Sequence, residues 1–221
     1  MDIGILGGTG PAGRALGARL ASVGATVALG SRDPERAAEI AAGLVERWRP
    51  SHDLNLVGLA NPEAAAADLV VLATPFAVAV STAREVADRL AGKVLVSMVN
   101  ALGEMSGELE ALVPARGSIA VAVADALPGA RVTGAFHHLP ARRVGDLTAG
   151  IDADVLVCGD DSDAVRATIS LADRLPGCRG VRAGSLSAAG AIESFTAVLI
   201  GVNIAYRSHV AFQLTGLADR G

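Results

Sequence analysis

A short apolar run, Ile3 to Leu6, leads into three glycines spaced G-x-G-x-x-G: Gly8, Gly10 and Gly13. Leu16, Leu20 and Val23 then recur at helical spacing, and a second β-like run, Thr26 to Leu29, ends at Gly30-Ser31-Arg32. Strand, glycine turn, helix, strand is the setting in which this spacing binds a dinucleotide. Gly8 is expected at the tight turn, Gly10 where the backbone approaches a pyrophosphate, and Gly13 where the helix packs on the strand. Pro11 falls in the first helical turn, where a missing N–H costs little. The free N–H groups of that turn favour bound phosphate.

The end of the second strand selects which dinucleotide is held. An NAD site places Asp or Glu there, about 20 residues past the glycines, to hold the ribose hydroxyls. Here the place is taken by Ser31 and Arg32, with Arg36 one turn further on. A hydroxyl and forked guanidiniums suit a 2′-phosphate, so the expected cofactor is NADP. Asp33 reads instead as a helix N-cap, because Pro34 follows it at the first helical position.

Composition narrows the class of partner. The 221 residues carry a net charge of −4, which argues against nucleic acid and leaves anion binding to local cationic patches. Aromatic residues make up only 3%, so the core is aliphatic. The two cysteines, Cys158 and Cys178, match no metal spacing and need not pair. The chain starts on a strand with Asp2 rather than a basic leader, and charges interrupt its apolar runs at Asp68 and Glu193. The expectation is a cytoplasmic protein that neither spans nor binds a membrane.

Further along, helical spacing covers Pro34 to Arg49, with Trp48 expected in the core, and strands are expected at Leu54 to Leu59, Asp68 to Ala73 and Lys93 to Val99. The continuous apolar run before Thr74 fits a strand buried on both faces. Thr74, Pro75 and Phe76 follow it at the carboxyl edge, where such sheets bind ligands. Met105 to Leu112 reads as a helix, and Ser118 to Val123 and Arg131 to Phe136 as strands or extended segments. His137 and His138 follow an apolar strand with no carboxylate or cysteine at ligand spacing, so a pocket-lining role is expected and no metal. Arg142-Arg143 reads as a solvated pair or the holder of an anionic tail. Val155 to Asp161 is a strand leaving into an acidic turn, with Asp161 or Ser162 capping a helix to Leu175. Ala188 to about Ala211 reads as one long apolar helix that lies against the first domain or a second subunit, which hints at a homodimer. The fold class is α/β: a Rossmann-type doubly wound, mostly parallel sheet with a small C-terminal helical addition. The expected domains are 1–150, binding NADP, and 151–221, completing the substrate cleft.

With these residues laid out, the chain resembles the NADPH-dependent coenzyme F420 reductases over nearly its full length. The resemblance rests on Gly7-Gly8-Thr9-Gly10-x-x-Gly13, Gly30-Ser31-Arg32 and Ala135-Phe136-His137-His138-x-Pro140-Ala141. It continues through Asp154-Val155-x-Val157-Cys158-Gly159-Asp160-Asp161, Ala183-Gly184-x-Leu186 and Ile192-Glu193-Ser194-x-Thr196. It implies direct hydride transfer between the nicotinamide C4 and the C5 of the 5-deazaflavin coenzyme F420. Thr9, Ser31, Arg32 and Arg36 would hold the NADP phosphates, and Thr74, Pro75 and Phe76 would border the nicotinamide. His137, Leu139, Ser194 and Thr196 would line the deazaflavin site, with His137 as the candidate catalytic residue. Phe76 stands where the family often has Trp, and Ala101 where it often has Pro. The alternatives are an NADPH-dependent imine or flavin reductase on the same scaffold, and a non-catalytic NADP-sensing module.

Overall fold

Strand β1 (Asp2–Leu6) opens a computed structural model that describes residues 1–105 and 108–217. It is followed by α1 (Pro11–Ser22), β2 (Thr26–Ser31), α2 (Pro34–Trp48), β3 (Leu56–Ala60), α3 (Asn61–Ala64), β4 (Leu69–Leu72), α4 (Phe76–Glu85), α5 (Ala87–Leu90) and β5 (Val94–Ser97). A hairpin, β6 (Leu102–Met105) and β7 (Glu108–Ala111), precedes α6 (Ile119–Ala126), β8 (Arg131–Gly134) and α7 (Ala141–Val144). The chain continues through β9 (Ala153–Gly159), α8 (Ser162–Asp173), β10 (Cys178–Arg182), a 3₁₀ turn and α9 (Ala189–Tyr206).

The main sheet runs β10-β9-β8-β5-β4-β1-β2-β3. Every pairing in it is parallel except β8 with β9, so β9 and β10 extend the same sheet in the reverse direction. The chain leaves β1 toward β2 and β3, then returns to the other side of β1 with β4. The carboxyl ends of β1 and β4 therefore flank the switch point, where doubly wound sheets open a crevice for ligand.

Strand periodicity accounts for the two-layered core. Ile3 and Ile5, Leu69 and Val71, and Val94 and Val96 all face one apolar cluster, against Leu16 and Leu20 of α1 and Trp48 of α2. The intervening Leu6, Val70, Leu72 and Leu95 face the opposite cluster, against α4, α6 and α9. Strands that are apolar on both faces require helices on both sides.

Two local expectations fail. The helix expected from Met105 to Leu112 is an antiparallel hairpin pairing Leu102 with Ala111, and residues 106 and 107 of that stretch lie outside the described residues. The extended segment expected at Ser118 to Val123 is the start of α6. Ser118 Oγ caps it by accepting from Val121 N at 3.0 Å. The buried carboxylate of Glu193, on α9, accepts from the N–H groups of Ile119 and Ala120 at 2.9 and 3.0 Å. A tertiary cap outweighs the β-branched composition of this stretch.

α9 is shorter than expected and stops at Arg207, whose φ of 49° is left-handed. Ala189, Ile192, Glu193 and Thr196 are buried on one of its faces. Val198, Ile204 and Tyr206 stay exposed at 59, 68 and 78%. By length and composition, Leu186–Tyr206 is long and apolar enough to cross a membrane. Glu193 lies within it, with its carboxylate engaged by α6.

Candidate active site

The glycine turn is built by close approach. Gly7 has φ +69°, which makes it, rather than Gly8, the turn residue that needs glycine for its conformation. A Cβ on Gly8 would sit 2.8 Å from the Ile5 carbonyl and 3.0 Å from Leu29, and one on Gly13 would sit 2.9 Å from Gly8. These two glycines let the helix seat on the strands. Gly10 differs: its Cβ would meet only the Gly7 carbonyl, at 3.6 Å. The side of the loop at Gly10 is open, and no side chain caps α1. An uncapped helix start beside open backbone has the donor chemistry that a pyrophosphate requires, so the loop formed by Gly8, Thr9, Gly10 and Gly13 fits a dinucleotide.

One residue of this turn had no motif to signal it. Asn61 Oδ1, at the start of α3, accepts from Gly7 N at 3.2 Å. The same oxygen would lie 2.8 Å from a Cβ on Gly30, so a single buried amide ties the glycine turn to the end of β2.

At that strand end, Ser31 is buried and its Oγ accepts from Asp33 N at 3.1 Å. Asp33 caps α2 by accepting from Arg36 N at 3.0 Å, as its place before Pro34 implied. The side chains of Arg32 and Arg36 are exposed and have no ion-pair partner among the described residues. Two free guanidiniums beside a hydroxyl fit a phosphate on the adenosine ribose.

On the other side of the switch point, Thr74 packs against the turn so closely that a Cβ on Gly7 would meet its methyl at 2.6 Å. Its buried Oγ1 has no hydrogen-bond partner among the described residues. Pro75 is the N-cap of α4, and Phe76 is its first residue, 37% exposed.

A cavity of about 270 Å³ opens where β5 and β8 leave the sheet, lined by Asn100, His137, Leu139, Thr196, Leu199 and Asn203 among others. Asn100 braces it: its Nδ2 donates to the His137 carbonyl at 3.0 Å, and its Oδ1 accepts from Thr196 Oγ1 at 3.4 Å. No binding or catalytic motif includes Asn100. Its signal was a lone amide immediately after a buried strand, at the carboxyl edge. Leu139 also lines a small apolar void with Ala12 of α1, which sets this cavity beside the dinucleotide helix. Ser194 is half-buried and is not among the cavity's lining residues. Two positions before Thr196, it points about 160° away around the helix axis.

The two histidines divide. His138 is tied to structure: Nε2 bonds the Asp154 carbonyl at 2.8 Å, and its ring packs edge-on against Phe212. His137 follows Phe136, a buried residue with φ +66°, an uncommon conformation for a bulky side chain. Both ring nitrogens of His137 are buried without a partner among the described residues. Burial, reinforced by the neighbouring His138, pushes its pKa down to about 3, so the ring is neutral at pH 7. A neutral imidazole has one donor and one acceptor, and neither nitrogen is exposed to the cavity here. The thiols of Cys158 and Cys178 are both pushed up to about 11 by burial, which makes them poor nucleophiles.

A doubly wound sheet with a glycine-lined switch point, free guanidiniums at the second strand and a cavity alongside defines a dinucleotide-binding oxidoreductase of Rossmann type. The family model for NADP oxidoreductases that are coenzyme F420-dependent matches residues 2–101. The chain is 36% identical to the F420-dependent NADP reductase of Methanocaldococcus jannaschii over 214 residues, covering 94% of this chain and 95% of that one. It is 33% identical to the reductase of the same name from Methanothermobacter thermautotrophicus, covering 100% and 97%. A crystal structure from Arthrobacter sp. FB24, assigned as an F420-dependent NADP reductase, superposes with a TM-score of 0.82 at 28% identity, covering 97% of this chain and 99% of that one. An imine reductase from Bacillus cereus, at a TM-score of 0.63 and 20% identity, shares the fold over 93% of this chain and 63% of its own. The chain belongs to the F420-dependent NADP reductase family.

Proposed function

We propose that the protein transfers a hydride between NADP(H) and the deazaflavin coenzyme F420, with both rings in the crevice at the switch point. The observation that carries this reading is the cavity braced by Asn100 beside α1, open at the sheet edge where a nicotinamide belongs. Gly8, Thr9, Gly10 and Gly13 cradle the pyrophosphate, while Ser31, Arg32 and Arg36 hold the 2′-phosphate. Thr74, Pro75 and Phe76 border the nicotinamide. His137, Leu139 and Thr196, joined by Asn100, line the deazaflavin site, and Ser194 lies outside it.

The two coenzymes bring the redox chemistry, and the protein supplies orientation and exclusion of water. Holding two rings in contact lowers the barrier by several kcal/mol. His137 acts at this site as a neutral wall residue. The proton for reduced coenzyme comes from solvent, because burial keeps the His137 imidazole unprotonated at neutral pH. Residues 1–150 carry NADP, and 151–221 complete the cleft. The exposed apolar side chains of α9, Val198, Ile204 and Tyr206, are spread around the C-terminal half of the helix and are covered by a second copy in a cytoplasmic homodimer. Mixing NADPH with oxidised coenzyme F420 tests the reading: the deazaflavin absorption band is lost at a rate set by enzyme concentration. Tight NADPH binding with no turnover of this acceptor contradicts it.

A further inference from the structure

On the α1 side of the sheet, a groove of about 790 Å³ runs between α1, the C-terminal half of α2 and the α7 segment. Arg14, Arg47 and Arg142 line it, against one carboxylate, Asp146. The carboxylate is already engaged, since Asp146 Oδ1 accepts from both the N–H and the hydroxyl of Thr148, at 3.1 and 2.6 Å. None of the three arginines forms a direct ion pair among the described residues, although Arg47 and the buried Arg19 both act on the Asp146 carboxylate through space. In a chain of net charge −4 this is a local reversal of sign. The groove is also partly pre-formed. The Arg47 guanidinium stands 5.1 Å from the centroid of the buried Trp48 ring, which gives its side chain a platform. Ala141 and Arg142 line both this groove and the His137 cavity, so α7 is a wall common to the two spaces.

A groove with three forked cations against one carboxylate fits a flexible chain bearing phosphate and carboxylate groups. Its place across α7 from the ring cavity puts it within reach of a chain that leaves the cavity over that segment. We propose that this groove takes the anionic tail of the deazaflavin coenzyme, its phosphodiester followed by glutamate carboxylates. The proposal rests on the hydride-transfer reading above. It makes Arg14, Arg47 and Arg142 the residues that distinguish a tailed coenzyme from the bare deazaflavin riboside, which lacks phosphate and glutamate.

The test compares the tailed coenzyme with the riboside in wild type and in an Arg14→Gln/Arg47→Gln double variant, by steady-state KM and by equilibrium titration of the oxidised forms. The double variant is expected to raise KM and Kd for the tailed coenzyme about tenfold relative to any change for the riboside. Added salt is expected to weaken binding of the tailed form more than the riboside in wild type, a reading that needs no variant. Equal effects on both coenzymes, a salt response shared by both, or a rise confined to the KM of NADPH would overturn the proposal. Titration separates the two readings. Selective weakening without wild-type turnover keeps the groove and rejects hydride transfer, and turnover without selective weakening does the reverse.

Discussion

Arg19 Nε donates to the carbonyl of Val144 at 2.9 Å, across 125 residues of chain. Its guanidinium also reaches the carbonyls of Arg143, at 3.2 Å, and Asp146, although the residue is only 1% exposed. Burial lowers its pKa, partly offset by Cys178 and the Asp146 carboxylate, while the three backbone carbonyls satisfy the guanidinium directly. These contacts close the carbonyl end of α7 and fix the segment that walls both the ring cavity and the arginine groove. Arg19→Ala leaves several buried acceptors unpaired and is expected to destabilise the fold by about 3 kcal/mol. Denaturant unfolding checks this, and a loss below about 1 kcal/mol would show that the carbonyls find water instead.

Cofactor choice is read from the end of β2. Arg32→Ala is expected to raise KM for NADPH roughly 10- to 100-fold, the scale of a lost hydrogen bond to a charged group. KM for NADH should barely move. Equal effects on the two dinucleotides would show that Arg32 does not contact the 2′-phosphate.

His137 gives stability a pH dependence of definite sign. Its pKa falls from 6.5 to about 3 on folding, so the unfolded chain binds the extra proton. The stabilisation is therefore fully present above pH 6.5 and is lost as pH falls from there toward 3. At pH 5 the loss is about 2 kcal/mol relative to pH 7. His137→Gln should flatten this part of the profile and leave a residual slope from His138, which burial also lowers. Unfolding curves at pH 5 and 7 for both proteins measure it, and an unchanged slope in the variant would place the titration elsewhere.

Glu193 joins α9 to the first turn of α6. Glu193→Ala strips two buried N–H groups of their acceptor and is expected to cost about 2 kcal/mol. Because Thr196 sits on the same helix, KM for the deazaflavin should rise as well, while KM for NADPH stays near wild type. Thermal unfolding and paired KM values check the two halves of this prediction separately.

Sequence made the dinucleotide half legible because its requirements are local. Glycine spacing, Pro34 after Asp33 and the arginines after β2 each act within a few residues of where they stand. The second site depends on contacts between distant segments. Asn100, His137 and Thr196 meet only when β5, β8 and α9 converge, and the one local mark on Asn100 is its place just after a buried strand. The first turn of α6 looked extended because Ile119, Val121 and Val123 alternate with alanine, and its cap comes from Glu193. The segment from Met105 to Leu112 has helical composition, yet it folds back on the residues before it, pairing Ala111 with Leu102. Arg19 went unnoticed on the apolar face of α1, three residues after Leu16, and burial of a cation there is explicable only through α7.

The account stands on two rings sharing one crevice. NADPH deuterated at C4 of the nicotinamide, on the transferred face, measures this most directly. The reduced coenzyme should carry one deuterium at the deazaflavin C5 after turnover in ordinary water, with no label in the solvent. Loss of the label to water, or no reduction of the coenzyme at all, would contradict direct transfer within a single site.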